Sequence, residues 1–155
     1  DKNKQERSKE IFLQMIELAL TLNLPLVIHS RNGRNESAIS DALGLLKENN
    51  AKNVMMHCFS GNESNLKKAL EQGYFISYAT NICWTKKHPY LAAKTPLEQM
   101  LLETDSPWLD PDSREKNNRP WKIMKSAAIV GKVKGVSTRQ VLEVTSSNAR
   151  EFFRI

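Results

Sequence analysis

Three short apolar runs in this chain each stop at a side chain able to bind a metal ion. Leu26-Val27-Ile28 runs into His29, Val54-Met55-Met56 into His57, and Met100-Leu101-Leu102 into Glu103-Thr104-Asp105. Runs of this length, bounded by turn residues, read as buried strands. A buried strand that ends on a polar side chain is costly unless that side chain finds a partner. Three such stops at strand-to-helix spacing therefore point to one shared site at one end of a parallel sheet.

The segments between the runs carry helical patterning. Residues 5–23 hold Ile11, Phe12, Met15, Ile16, Leu18, Ala19 and Leu22 at the spacing of an amphipathic helix. The spacing predicts further helices over 35–50, 62–72 and 120–134, and one over 138–153 capped by Ser137. A shorter helix is expected over 89–94. Strands are expected over 26–29, 54–57, 74–79 and 99–103. The polar, proline-containing stretch 104–119 is a long loop, and loops of that length in a compact domain are usually functional or mobile. Helix and strand alternate four times with a repeat of roughly 25 residues, as in (β/α) barrels. The expected fold is thus α/β of the (β/α)8 TIM-barrel type. Residues 1–155 form one domain of about four βα units, a partial barrel lacking its N-terminal strands.

Composition narrows the function classes. The chain has 155 residues, 40% hydrophobic and 26% charged. No apolar run approaches the roughly 18 residues of a membrane span. The charged opening Asp1-Lys2-Asn3-Lys4-Gln5-Glu6-Arg7 lacks the apolar core of a signal peptide, so a cytoplasmic location and no membrane partner are expected. Cys58 and Cys83 form no C-x-x-C pair and read as buried free thiols. On a strand, Cys58 would face away from His57, which makes it a poor co-ligand.

Net charge is +6, and most of the excess follows Asp105: residues 110–139 carry eight bases against three acids. Beside a metal site such a segment would attract phosphate; by itself it would read as a solvated helix face.

Imidazole and carboxylate are the ligands of zinc, manganese and magnesium hydrolases. Taken singly, a strand-end histidine is more often bonded to backbone, and Asp105 before Ser106-Pro107 suits a turn. Together, His29, His57 and Asp105 make a candidate metal set. Glu103 shares a strand face with Asp105 and is suited to orienting a ligand. Arg31 suits bidentate phosphate binding. His88, in a basic loop start with no apolar strand before it, is left out of the site.

The ordered strings Leu24-Pro25-Leu26-Val27-Ile28-His29-Ser30-Arg31, His57-Cys58-Phe59-Ser60-Gly61 and Leu101-Leu102-Glu103-Thr104-Asp105-Ser106-Pro107 resemble the TatD family of metal-dependent deoxyribonucleases. Arg114, Lys116, Asn118 and Pro120 match the family's basic Asn-x-Pro segment, and Asn148-Ala149-Arg150-Glu151-Phe152-Phe153 extends the resemblance to the end of the chain. The resemblance implies a two-metal amidohydrolase-like barrel that hydrolyses phosphodiesters, typically removing nucleotides 3′-to-5′ from DNA, with RNA as a further candidate substrate. His29 and His57 would be ligands, and Asp105 both ligand and catalytic group. Glu103 would stand behind them, and Arg31, Trp108, Arg114, Lys116 and Asn118 would contact phosphate or base. The family's His-x-His and bridging glutamate have no counterpart in this chain, so at most one divalent ion (Mg, Mn or Zn) is expected here. Two other readings use the same residues: a metal-dependent amide or ester hydrolase, and an inert half-barrel acting as an interaction fragment. Exposed barrel edges would favour self-association.

Overall fold

The structure is a computed structural model that describes residues 2–33, 37–113 and 116–155. Its elements are α1 (Lys2–Thr21), β1 (Leu26–His29), α2 (Ala38–Glu48), β2 (Val54–His57), α3 (Glu63–Glu71), β3 (Phe75–Tyr78), α4 (Lys87–Lys94), β4 (Met100–Leu102), α5 (Ile123–Lys134) and α6 (Thr138–Phe153). The strands form one parallel sheet in sequence order, β1-β2-β3-β4. His29 lies directly opposite His57 across the first pair. All four strands run the same way, so their C-terminal ends and the loops that follow them share one rim.

The expected elements are present, with local differences that have physical causes. The start of the helix expected over 35–50 lies partly outside the described residues. The helix expected over 120–134 opens as a 3-10 turn, Pro120–Lys122, before α5. Pro120 has no N–H to donate, and its fixed φ suits a first turn. Two further 3-10 turns, Thr80–Cys83 and Leu97–Gln99, were not anticipated, because runs of three or four residues leave no periodic trace. The stripe on α1 is only partly covered: Ile16 and Ala19 are buried, whereas Ile11, Met15, Leu18 and Leu22 are exposed.

The core lies between the sheet and its helices. Ile39, Leu43 and Leu46 of α2, Leu66 and Ala69 of α3, and Leu91 and Ala92 of α4 pack with Ile28, Val54, Met56, Ile76, Tyr78 and Met100. Each large aliphatic side chain so buried contributes roughly 1.5–3 kcal/mol of transfer free energy. Alternate strand residues face the other side, where Met55, Leu101 and Phe75 meet Phe152 of α6.

Helix α6 ties the sheet together at the end opposite the strand-end histidines. Ser137 caps it by accepting from Gln140 N at 3.1 Å. The Asn148 amide donates to Leu97 O and Met100 O, both at 2.8 Å, fixing the entry to β4. Arg154 donates to Asn23 O at 2.7 Å and Asn23 Oδ1 at 3.0 Å, fixing the entry to β1. Asn148 and Arg154 thus tie the end of α6 to the entries of both outer strands.

Candidate metal and phosphate site

The rim is built from residues that leave the extended conformation as each strand ends. Cys58, Asp105 and Leu109 all have positive φ, at 42°, 59° and 57°. For residues with a Cβ this region is disfavoured, and such outliers persist only where the surroundings impose them. Gly61 meets a different demand: a Cβ there would run into the buried Phe59 ring and Asn65 Cβ. Glycine therefore lets the His57-to-Gly61 turn fold tightly onto α3. That helix begins with a reciprocal cap, in which Asn65 N donates to Asn62 Oδ1 at 2.9 Å and Asn62 N to Asn65 Oδ1 at 3.2 Å.

Glu103 anchors the centre. One carboxylate oxygen lies 2.6 Å from His57 Nδ1, and the other accepts from Cys58 N at 2.6 Å. An ionised carboxylate can only accept, so Nδ1 carries a proton, and in the neutral imidazole this leaves the lone pair on Nε2. That lone pair faces Asp105, whose Oδ1 is 3.8 Å from Nε2. The carboxylate–histidine pair is the arrangement that fixes the tautomer of a metal-binding imidazole.

His29 stands beside this pair, its ring centroid 5.4 Å from that of His57 and the planes tilted by 41°. Among the described residues, no three His, Cys, Asp or Glu side chains are gathered closely enough to hold a metal ion. The donor chemistry and the orientation of His57 fit a divalent cation, with two donors converging and a third at the edge.

A cavity of ≈ 200 Å³ opens beside them, lined by His29, Arg31, Cys58, Ser60, Asp105 and Trp108 among others. Cys58 therefore borders the site, contrary to the strand alternation expected from the sequence; alternation ends with the strand at His57, and the φ of Cys58 turns its side chain. Burial, with help from the Glu103 and Asp105 carboxylates, pushes the Cys58 thiol up to about 11. It stays protonated at neutral pH and is not a thiolate nucleophile. A larger groove of ≈ 620 Å³ lies between α1 and α2 and reaches the same rim at His29 and Arg31.

The loop after β4 is fixed from within by Asn118. This residue is buried, and its amide nitrogen lies within donating distance of Thr80 Oγ1, Thr104 O, Trp108 O and Leu109 O, at 2.7–3.3 Å. It has no donor left for phosphate, so its place in the site is as the loop's internal brace. Thr80 joins it: its one hydroxyl proton lies within reach of Thr104 O and Leu109 O, at 3.0 and 2.6 Å. Sequence reasoning passed over Thr80 because no ligand-type side chain marks the end of β3. The threonine that follows Ala79 was the available signal.

Trp108 is half exposed at the cavity edge. Lys116 Nζ sits 3.7 Å from its ring centroid, a cation–π contact. Arg114 lies outside the described residues. Much of the basic segment is taken up elsewhere. Lys122 bonds the buried Asp110 at 2.7 Å and Asp112 at 3.2 Å, Lys125 bonds Asp112, and Arg139 pairs with Glu143. The Lys122 ammonium holds the Asp110 carboxyl below its ordinary range, and Lys125, then Lys122, does so for Asp112. These bases brace the loop against α5.

His88, which the sequence set apart, is buried at the start of α4, with Nδ1 2.9 Å from Thr85 Oγ1. Burial first, and the Lys87 charge second, lowers its pKa.

The chain is similar in sequence and in fold to known proteins. The family described as TatD related DNase matches residues 1–154. The chain is 37% identical over 149 residues to human deoxyribonuclease TATDN3, covering 96% of this chain and 52% of that protein. It is 31% identical over 160 residues to the uncharacterized metal-dependent hydrolase YabD of Bacillus subtilis, covering 100% of this chain and 61% of that one. Its fold superposes on the crystal structure of YJJV, a TatD homolog from Escherichia coli, with a TM-score of 0.88 at 23% identity, over 100% of this chain and 60% of that one. A TatD family hydrolase from Entamoeba histolytica gives 0.79 at 21% identity, over 90% and 54%. The chain thus spans about half to three-fifths of the length of these relatives. The family match over residues 1–154, with relatives 31–37% identical across nearly the whole chain, makes it a member of the TatD-related DNase family.

Proposed function

We propose that the complete protein is a divalent-metal-dependent deoxyribonuclease that hydrolyses phosphodiester bonds at the rim of this sheet, removing nucleotides in the 3′-to-5′ direction. The observation that carries the reading is the Glu103–His57–Asp105 alignment, in which His57 Nε2 is held free and aimed at a carboxylate. His57 Nε2 and the Asp105 carboxylate would hold one ion, with His29 moving in from the edge to complete the set. When bound, a divalent ion lowers the pKa of water and offsets the charge that develops on the phosphoryl oxygens. Asp105 accepts the proton of the attacking water. Glu103 keeps the His57 tautomer. Arg31 receives the phosphate flanking the scissile bond, and its planar guanidinium matches two oxygens at once. Lys116 contributes charge beside it, and Trp108 offers a face on which a base stacks.

We further infer that residues 1–155 are the C-terminal part of a single (β/α)8 barrel domain, whose remaining strands supply the other ligands and a second ion. The curated relatives named above are longer than this chain by a comparable margin. The edge strand β1 leaves Val27 48% exposed next to the uncovered apolar residues of α1, as a strand with a further neighbour would. No described helix is long and apolar enough to cross a membrane.

The substrate class is tested with the complete protein and added manganese or magnesium, offered an end-labelled single-stranded oligodeoxynucleotide, its RNA counterpart, and a panel of amide and ester substrates. Stepwise shortening of the DNA from its 3′ end is expected. Turnover confined to amides or esters, with the DNA intact, overturns the phosphodiester reading.

A further inference from the structure

The loop from β3 to α4 carries Lys86 and Lys87 on the same rim as the site. Both side chains are exposed. Lys87 Nζ reaches back to donate to Ser60 O at 2.7 Å, and Ser60 lines the cavity with Arg31, Asp105 and Trp108. An ammonium has three donors, so this bond ties Lys87 to the Ser60 turn that borders the cavity and leaves the others for a ligand. The acid at the start of α3, Glu63, is already engaged by Lys94 at 2.6 Å and by Tyr90 at 2.7 Å.

The placement of the two lysines is locally unfavourable. They occupy the N-cap and first position of α4, a helix with no acid in its first turn. The positive end of the helix macrodipole disfavours cations there. Their neighbour His88 is buried against Thr85 and so fixes where the pair sits. Cations held against the helix dipole gain from a negatively charged ligand.

We propose that Lys86 and Lys87 form a second phosphate-binding subsite, which holds the backbone of a single-stranded nucleic acid substrate beyond the scissile phosphate, on the β3 side of the cavity. This rests on the nuclease reading above and extends it: the strand runs from the Arg31 and Trp108 wall, over the Ser60 turn, to the lysine pair. Each phosphate neutralised on a single strand contributes about 0.7 to the slope of log affinity against log salt. Two lysines together account for a slope of about 1.4.

The test compares the complete protein with its Lys86→Ala/Lys87→Ala double variant. Two probes are used with the same divalent ion: a single-stranded oligodeoxynucleotide long enough to cross the rim, and bis(p-nitrophenyl) phosphate, which carries the reacting bond but no flanking phosphates. The double variant is expected to raise KM for the oligonucleotide roughly three- to tenfold and to lower its salt slope by about 1.4, with turnover of the small diester unchanged. Equal KM and equal salt slope for the two proteins, with the wild type degrading DNA, overturn the subsite alone. A wild type that neither binds nor cleaves the oligonucleotide overturns the nuclease reading and the subsite with it. Loss of activity on both probes makes the lysines structural and also overturns the proposal.

Discussion

Asp105→Asn lowers turnover of single-stranded DNA by about 10²–10⁴-fold, the range for loss of a group that takes a proton in the rate-limiting step. Asparagine is chosen because it keeps the size of aspartate and is among the few residues that tolerate positive φ, and Asp105 sits at 59°. The backbone bond from Trp108 N to Asp105 O at 2.9 Å is untouched, so the loop keeps its shape. What is lost is the negative charge facing His57 Nε2 and the capacity to accept a proton. Steady-state rates at saturating divalent ion, read beside the thermal melting curve, separate the two. A variant that melts like the wild type and retains its rate removes Asp105 from the chemistry.

Glu103→Gln is expected to weaken divalent-ion affinity by about 10–100-fold, the usual cost of disturbing a residue behind a metal ligand. The amide oxygen of glutamine can still accept from Cys58 N. Its NH2 group, however, then faces His57 Nδ1, which must become the acceptor. The imidazole proton moves to Nε2, and the lone pair aimed at Asp105 is gone. Glu103→Ala does more damage of another kind, because the Cys58 N–H loses its 2.6 Å partner at a residue already held at positive φ. A further loss of about 1–3 kcal/mol in stability is expected from that unpaired donor, measured by denaturant unfolding. A Glu103→Gln protein whose activity rises with manganese at the wild-type midpoint contradicts the orienting role.

The site was legible in the sequence wherever a strand announced its end. The runs closing at His29, His57 and Glu103 are apolar and short, and the observed register sets His29 opposite His57. The partnership of Glu103 with His57 followed in kind from its position two residues before Asp105, although which atoms meet is a matter of three-dimensional approach. Cys58 was misjudged because strand alternation was carried one residue too far. Asn118 looked like a phosphate contact because it stands in a basic stretch, but its short amide side chain is buried among carbonyls that no local pattern advertises. The +5 segment was overweighted for the same reason: Asp110 and Asp112 lie close in sequence to Asp105, yet it is the fold that brings Lys122 and Lys125 onto them. Helical and strand periods report which face is apolar. They say little about where a loop's polar groups will find each other.

The exposed half of α1 makes a related point. Its apolar stripe predicts a helix correctly, but periodicity carries no information about how much of the stripe is covered. Ile16 and Ala19 are buried, while Leu18 and Leu22 are left at 50% and 56% exposure. In the proposed barrel these residues and β1 meet the preceding strands and helices.

Metal dependence is the most direct measure of the account. The complete protein, stripped of metal with chelator and returned to buffer, is assayed on an end-labelled single-stranded oligodeoxynucleotide before and after adding manganese or magnesium. Hydrolysis is predicted to be absent in chelator and restored by the added ion. Equal hydrolysis in the presence of chelator would contradict it.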